Sequence, residues 1–175
     1  MPPCYHVVLD RPPWGPSASL ADLDACLASV STPLVLDVGA FELEADGDHY
    51  TRRGFVAFAE ALARALARAR VARPLVVADS TVDHHNWAED GAWTGWADNV
   101  LVRAVPTAHV DAVCGSGFVA RACHQEHFHA RVSRRLRVAS HDAVVLVGGW
   151  NDERTGRLDA TRAAMARVAQ LAVRW

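Results

Sequence analysis

Four places in the chain pair residue types that do acyl or proton chemistry with spacing that would aim them. In "EADGDHY", residues 44–50, Asp46 precedes His49 by three positions. A carboxylate so placed fixes the tautomer of an imidazole and stabilises its charged form, which makes the histidine a general base. Ser80 in "VVADST" closes an apolar run. At a strand-to-helix turn a serine hydroxyl stands exposed with backbone N–H groups beside it, as a nucleophile requires. Gly115 in "AVCGSGF" lets a backbone N–H approach a ligand closely, and the Asn151 amide in "GGWND" is a donor suited to a developing oxyanion. Each has a plainer reading by itself: a turn or cap serine, a turn glycine, a loop asparagine, an exposed histidine.

Two other patterns carry less. Cys123 and His127 stand four apart on a helical pattern with His124 and His129 nearby, a spacing open to zinc. Such clusters on a polar face are more often solvated, and no metal is assigned. "GSGFVA", 115–120, follows an apolar run and fits the dinucleotide fingerprint G-x-G-x-x-A. Its ribose-binding acid should end the next strand, yet Asp142 opens that strand, which closes in "VGGW". A G-x-S-x-G nucleophile elbow is absent.

The elements that must position these residues alternate along the chain. "YHVVLD" (5–10), "PLVLDVG" (33–39), "PLVVADS" (74–80), "AHVDAVCG" (108–115) and "DAVVLVGG" (142–149) read as strands. Their nearly continuous apolar character suits a parallel sheet covered on both faces. Helical patterns lie between and after them at 19–30, 52–70, 92–104, 118–136 and 157–175. In the second, Phe55, Phe58, Ala59, Leu62 and Leu66 share one face and Arg64 and Arg68 lie outside it. In the last, Leu158, Met165, Val168, Ala172 and Trp175 recur at similar spacing. Strict alternation predicts an α/β sandwich around a five-stranded parallel sheet, with the site at the carboxyl ends of the strands. All four chemical segments fall at or near those ends.

Composition excludes several classes. A chain of 175 residues is long enough for one domain with a real core. The net charge of -2 and the lack of a basic block argue against nucleic acid and anionic membranes as partners. No run approaches the roughly 18 apolar residues that span a bilayer. "MPPCYHVVLD" has neither a charged n-region nor a long apolar stretch, so the expected setting is the cytoplasm, or release without a signal peptide. Cys4, Cys26, Cys114 and Cys123 show no paired spacing and are expected to be free thiols in a reducing compartment.

Taken together the segments resemble the SGNH, or GDSL-type, hydrolases, and the resemblance covers nearly the whole chain. "VVADST" resembles the family's nucleophile block, with Ala78 in place of the usual glycine, and "AVCGSGF" its glycine block. "GGWND" matches the G-x-N-D block, and "DGDHYTRRGFVAFAEAL" is similar to the D-x-x-H block with the helix that ends the fold. In the family the D-x-x-H block comes last; here it comes before the nucleophile. Reading from Pro74 to Trp175 and then from Met1 to Arg73 restores the usual order, so the chain resembles a circular permutant. Residues 1–73 then correspond to the family's C-terminal part and 74–175 to its N-terminal part, in one flavodoxin-like α/β/α sandwich.

The resemblance implies a serine esterase that needs no cofactor. Ser80 is the nucleophile, His49 the base and Asp46 its partner. The Ser80 and Gly115 N–H groups and the Asn151 amide form the oxyanion hole, with Gly117 the other candidate glycine. Trp14, Trp87 and Trp150 follow strand ends and could line the site, which suits a small-molecule or carbohydrate ester, an acetylated carbohydrate above all. The alternative is a non-catalytic binding module on a hydrolase-like fold, to which the departure at Ala78 lends weight.

Overall fold

Five short runs of Val, Leu and Ala form strands because their side chains fill both faces of a covered sheet. The computed structural model describes residues 3–9, 31–36, 42, 51–79, 101–121 and 126–174, with the backbone of Ala25 and Ala28. The strands are β1 (Cys4–Leu9), β2 (Thr32–Leu36), β3 (Pro74–Ala78), β4 (His109–Ala112) and β5 (Ala143–Val147). The helices are α1 (Arg52–Arg68), α2 (Phe128–Leu136), α3 (Trp150–Glu153) and α4 (Leu158–Arg174). Ala25, Ala28 and residues 101–104 are also helical.

All pairings between strands are parallel, in the order β2-β1-β5-β3-β4. The central pair, β5 and β3, runs in register from Pro74 opposite Ala143 to Ala78 opposite Val147. Alternation along these two strands separates the core into two clusters. Val76, Ala78, Ala143, Val145 and Val147 face Phe55, Phe58, Leu62 and Leu66 of α1. Leu75, Val77, Val144 and Leu146 face Phe128 and Val132 of α2 and Met165, Val168 and Ala172 of α4. The architecture is therefore the expected three-layer α/β/α sandwich.

Helix α1 begins where Thr51 caps it: the hydroxyl accepts from the Gly54 N–H at 3.1 Å, satisfying one of the first-turn donors. Its apolar stripe is the expected one, with Arg64 and Arg68 exposed. Burying each of the large side chains on that stripe stabilises the layer by roughly 1.5–3 kcal/mol.

Three expectations are corrected. Three strands stop short of their apolar runs: β3 ends at Ala78, β4 at Ala112 and β5 at Val147. The helical pattern over 118–136 is not helical at 118–121, where the Asp152 carboxylate captures the amides of Phe118, Val119 and Ala120, and helix α2 begins at Phe128. Cys114 is disulfide-bonded, whereas Cys4 is the buried free thiol expected. Spacing along a chain does not report which turns fold against each other. Among the described residues no helix is long and apolar enough to cross a membrane.

Candidate functional site

The carboxyl ends of β3, β4 and β5 converge, and Asn151 joins them. Residues Trp150–Glu153 form the single turn α3 directly after Gly148 and Gly149, so the Asn151 amide projects back over the sheet edge. Its Nδ2 donates to the Ser116 carbonyl at 3.0 Å and to Asp79 Oδ2 at 3.3 Å. The first bond is of ordinary length and the second is long. Asp79 is fully buried, and its N–H donates to the Val147 carbonyl at 3.2 Å, fixing the residue that precedes Ser80 against the end of β5.

The loop after β4 is held by two devices that sequence reasoning missed. Asp152 is fully buried and accepts from Phe118 N at 2.9 Å, Val119 N at 2.8 Å and Ala120 N at 3.0 Å. A carboxylate that gathers three N–H groups is a strong anchor, since hydrogen bonds to charge are about twice as strong as neutral ones. It requires glycine at 117: a Cβ there would stand 2.2 Å from Asp152 Oδ2. The Gly117 N–H is already taken by the Ala120 carbonyl at 3.2 Å. Gly115 adopts φ 61, which favours glycine, and its N–H has no protein acceptor among the described residues.

The second device is Arg131, which reaches from α2 beneath the strand ends with no exposure. It donates to the Ala78 carbonyl at 3.0 Å, the Ser116 hydroxyl at 2.7 Å, Asp111 Oδ1 at 2.9 Å and the Asp111 carbonyl. The Ser116 hydroxyl in turn donates to the Val113 carbonyl at 2.6 Å. Asp111 is also held by Arg135 at 2.6 Å. Burial alone would raise the Asp111 pKa; the Arg135 hydrogen bond and the Arg131 charge outweigh it and hold the carboxyl below the ordinary range. One buried cation thus ties the end of β3 to the loop carrying Gly115 and Ser116. An arginine within "HARVSRRL" gives no sign of this role, because its partners lie 15 to 53 residues away.

Of the residues singled out from sequence, Gly115, Gly117, Asn151 and Trp150 are described, and the first three share this corner. Trp150 opens α3 half-buried, with the Arg154 guanidinium 5.5 Å from its ring centre. Ser80, His49, Asp46, Trp14 and Trp87 lie outside the described residues. Ala78 is fully buried in the core facing α1, so its methyl group is packed at the position where glycine was expected. The dinucleotide reading of "GSGFVA" loses its physical basis, since a loop and not a helix N-terminus follows Gly117. No group of three metal-ligating side chains occurs among the described residues, and Cys123 of the zinc spacing lies outside them. Neither a family model, nor a curated protein, nor a solved structure matches the chain.

Proposed function

We propose that the chain is a serine esterase of SGNH type that hydrolyses carboxylic esters through an acyl-enzyme at Ser80. The observation that carries the proposal is the Asn151 amide spanning Asp79 and the Ser116 carbonyl, which gathers three of the four resembling segments at one corner of the sheet. In this reading Ser80 Oγ attacks the ester carbonyl and its proton passes to His49, whose other ring nitrogen is held by Asp46. The tetrahedral oxyanion is met by the Ser80 and Gly115 N–H groups and by Asn151, whose long bond to Asp79 yields to it. The proton then passes from His49 to the leaving alcohol. Water, activated by the same histidine, releases the acid and restores Ser80.

Among the described residues the Gly115 N–H has no acceptor and the Gly117 N–H is engaged, which favours Gly115 as the second oxyanion donor. The strand order supports the permuted reading. Counted from β3 as the first strand, β2-β1-β5-β3-β4 becomes 5-4-3-1-2, which is the flavodoxin-like order 2-1-3-4-5 read from the other edge. Helix α4 also packs beside β1, as joining the present ends requires. An acetylated carbohydrate is the substrate class proposed, with Trp14, Trp87 and Trp150 as its walls. The disulfide at Cys114 favours an oxidising setting over a reducing one.

The test is hydrolysis of 4-nitrophenyl acetate and of an acetylated methyl glycoside by the wild type and by Ser80→Ala. The proposal expects turnover in the first and loss of at least ~10⁴-fold in the second. A wild type with no turnover on either ester would leave the binding-module alternative in its place.

A further inference from the structure

A cavity of about 690 Å³ lies between the loop at 118–121, the start of α2 and the first half of α4. Its charged lining is entirely basic: Arg121, Arg157 and Arg167, with His127 and His129. The floor is apolar, made by Phe118, Val119 and alanines of α4. Among the described residues no carboxylate lines it, although the chain carries 20 acidic residues and a net charge of -2. Elsewhere arginines take acidic partners: Arg53 pairs with Glu42, Arg162 with Asp159, and Arg131, Arg134 and Arg135 with Asp111. Arg121, Arg157 and Arg167 make no ion pair among the described residues. The nearest acids in sequence are already engaged. Glu126, beside His127, is bound by Arg134 at 2.6 Å, and Asp159, beside Arg157, is bound by Arg162 at 3.3 Å.

Three like charges line one concavity and repel one another. The Asp152 carboxylate lies behind its floor but is taken up by the Phe118, Val119 and Ala120 amides, and among the described residues no acid lines the cavity to offset them. We infer that this cavity is a binding site for a small organic phosphate, whose phosphoryl group is held by Arg121, Arg157 and Arg167 and whose organic part lies on the Phe118–Val119 floor. Guanidinium forks match phosphate oxygens two at a time, and a volume of this order suits a whole small molecule better than a bare ion. The site shares no residue with the candidate oxyanion corner and does not depend on the esterase reading. Its position against the loop anchored by Asp152 places ligand and corner on the same segment, since Ser116 and Arg121 are joined by a backbone bridge.

The experiment is isothermal titration of the full chain with phenyl phosphate and with inorganic phosphate, at constant low ionic strength. The expected result is saturable one-to-one binding of phenyl phosphate, at least ~10-fold tighter than inorganic phosphate. Arg157→Gln and Arg167→Gln should each weaken it ~10-fold or more, the loss expected for a charge-assisted contact. Both side chains are exposed, so the variants should fold, which circular dichroism checks. Arg162→Gln, on the same helix but paired with Asp159, is the control and should bind as the wild type does. The inference is overturned if phenyl phosphate shows no saturable binding or binds no tighter than inorganic phosphate. It is overturned equally if Arg162→Gln weakens binding as much as Arg167→Gln.

Discussion

Replacing Arg131 by methionine removes the cation beneath the strand ends while keeping a long apolar stem in the core. The structure bounds the effect. Breaking a buried ion pair by deleting one partner costs about 3–5 kcal/mol when the remaining charge is orphaned. Here Asp111 keeps Arg135 at 2.6 Å and Arg134 at 3.5 Å, the Ala78 carbonyl keeps the Val113 N–H at 3.1 Å, and the Ser116 hydroxyl keeps the Val113 carbonyl. Orphaning is therefore partial, and the expected loss is about 3 kcal/mol, set by several charged hydrogen bonds that do not add. Urea denaturation at neutral pH should read it as a midpoint lowered by ~1–2 M with an unchanged slope. Arg135→Met is the internal comparison. It touches the same carboxylate from a position 39% exposed, so solvent takes over part of its role and the loss should stay below about 1.5 kcal/mol. A loss under about 1 kcal/mol for Arg131→Met, or equal losses for the two variants, would refute the view that Arg131 ties the corner together.

Gly117→Ala should destabilise by about 2–4 kcal/mol in thermal denaturation, because the added methyl group meets Asp152 and must push its carboxylate off the three loop amides. His6 is buried with Nδ1 on the Ser31 hydroxyl at 2.9 Å, and burial pushes its pKa down to about 4. The unfolded chain takes up that proton near pH ~6.5. Stability should therefore be full above that pH and decline by up to ~3 kcal/mol as pH falls toward 4, an acid loss that His6→Asn should flatten in urea titrations. Asn151→Ala should lower kcat for ester hydrolysis by roughly 10² to 10³ with little change in KM, as for one lost oxyanion donor; a change confined to KM would assign Asn151 to substrate binding instead.

The layers of this fold are legible in the sequence because they rest on local periodicity. The run "AVVLV" has no polar side to expose and must be covered on both faces, and the stripe Phe55–Phe58–Leu62–Leu66 fits only one helix face. Strand ends are less legible, since the apolar run does not report where the pairing stops; Val113 and Gly148 look like strand and lie just past the ends of β4 and β5. The segment at 118–121 has helical composition, but a carboxylate over 30 positions away holds its amides in another shape. Arg131 was hidden for the same reason. Among candidate site residues, Asn151 and Gly115 were placed near strand ends from the sequence because each follows an apolar run, and both lie just past the ends of β5 and β4. That the loop consumes the Gly117 N–H, through the Ala120 carbonyl, has no sign in the sequence.

The central claim is that Ser80 carries the acyl group. The measurement that tests it most directly is labelling of the folded protein with a fluorophosphonate, followed by intact mass and peptide mapping. The account predicts a single adduct on the peptide containing Ser80, loss of labelling in Ser80→Ala, and slow labelling in His49→Ala, since the hydroxyl then lacks its base. Absence of any adduct in the wild type, or an adduct on another serine that persists in Ser80→Ala, would contradict it.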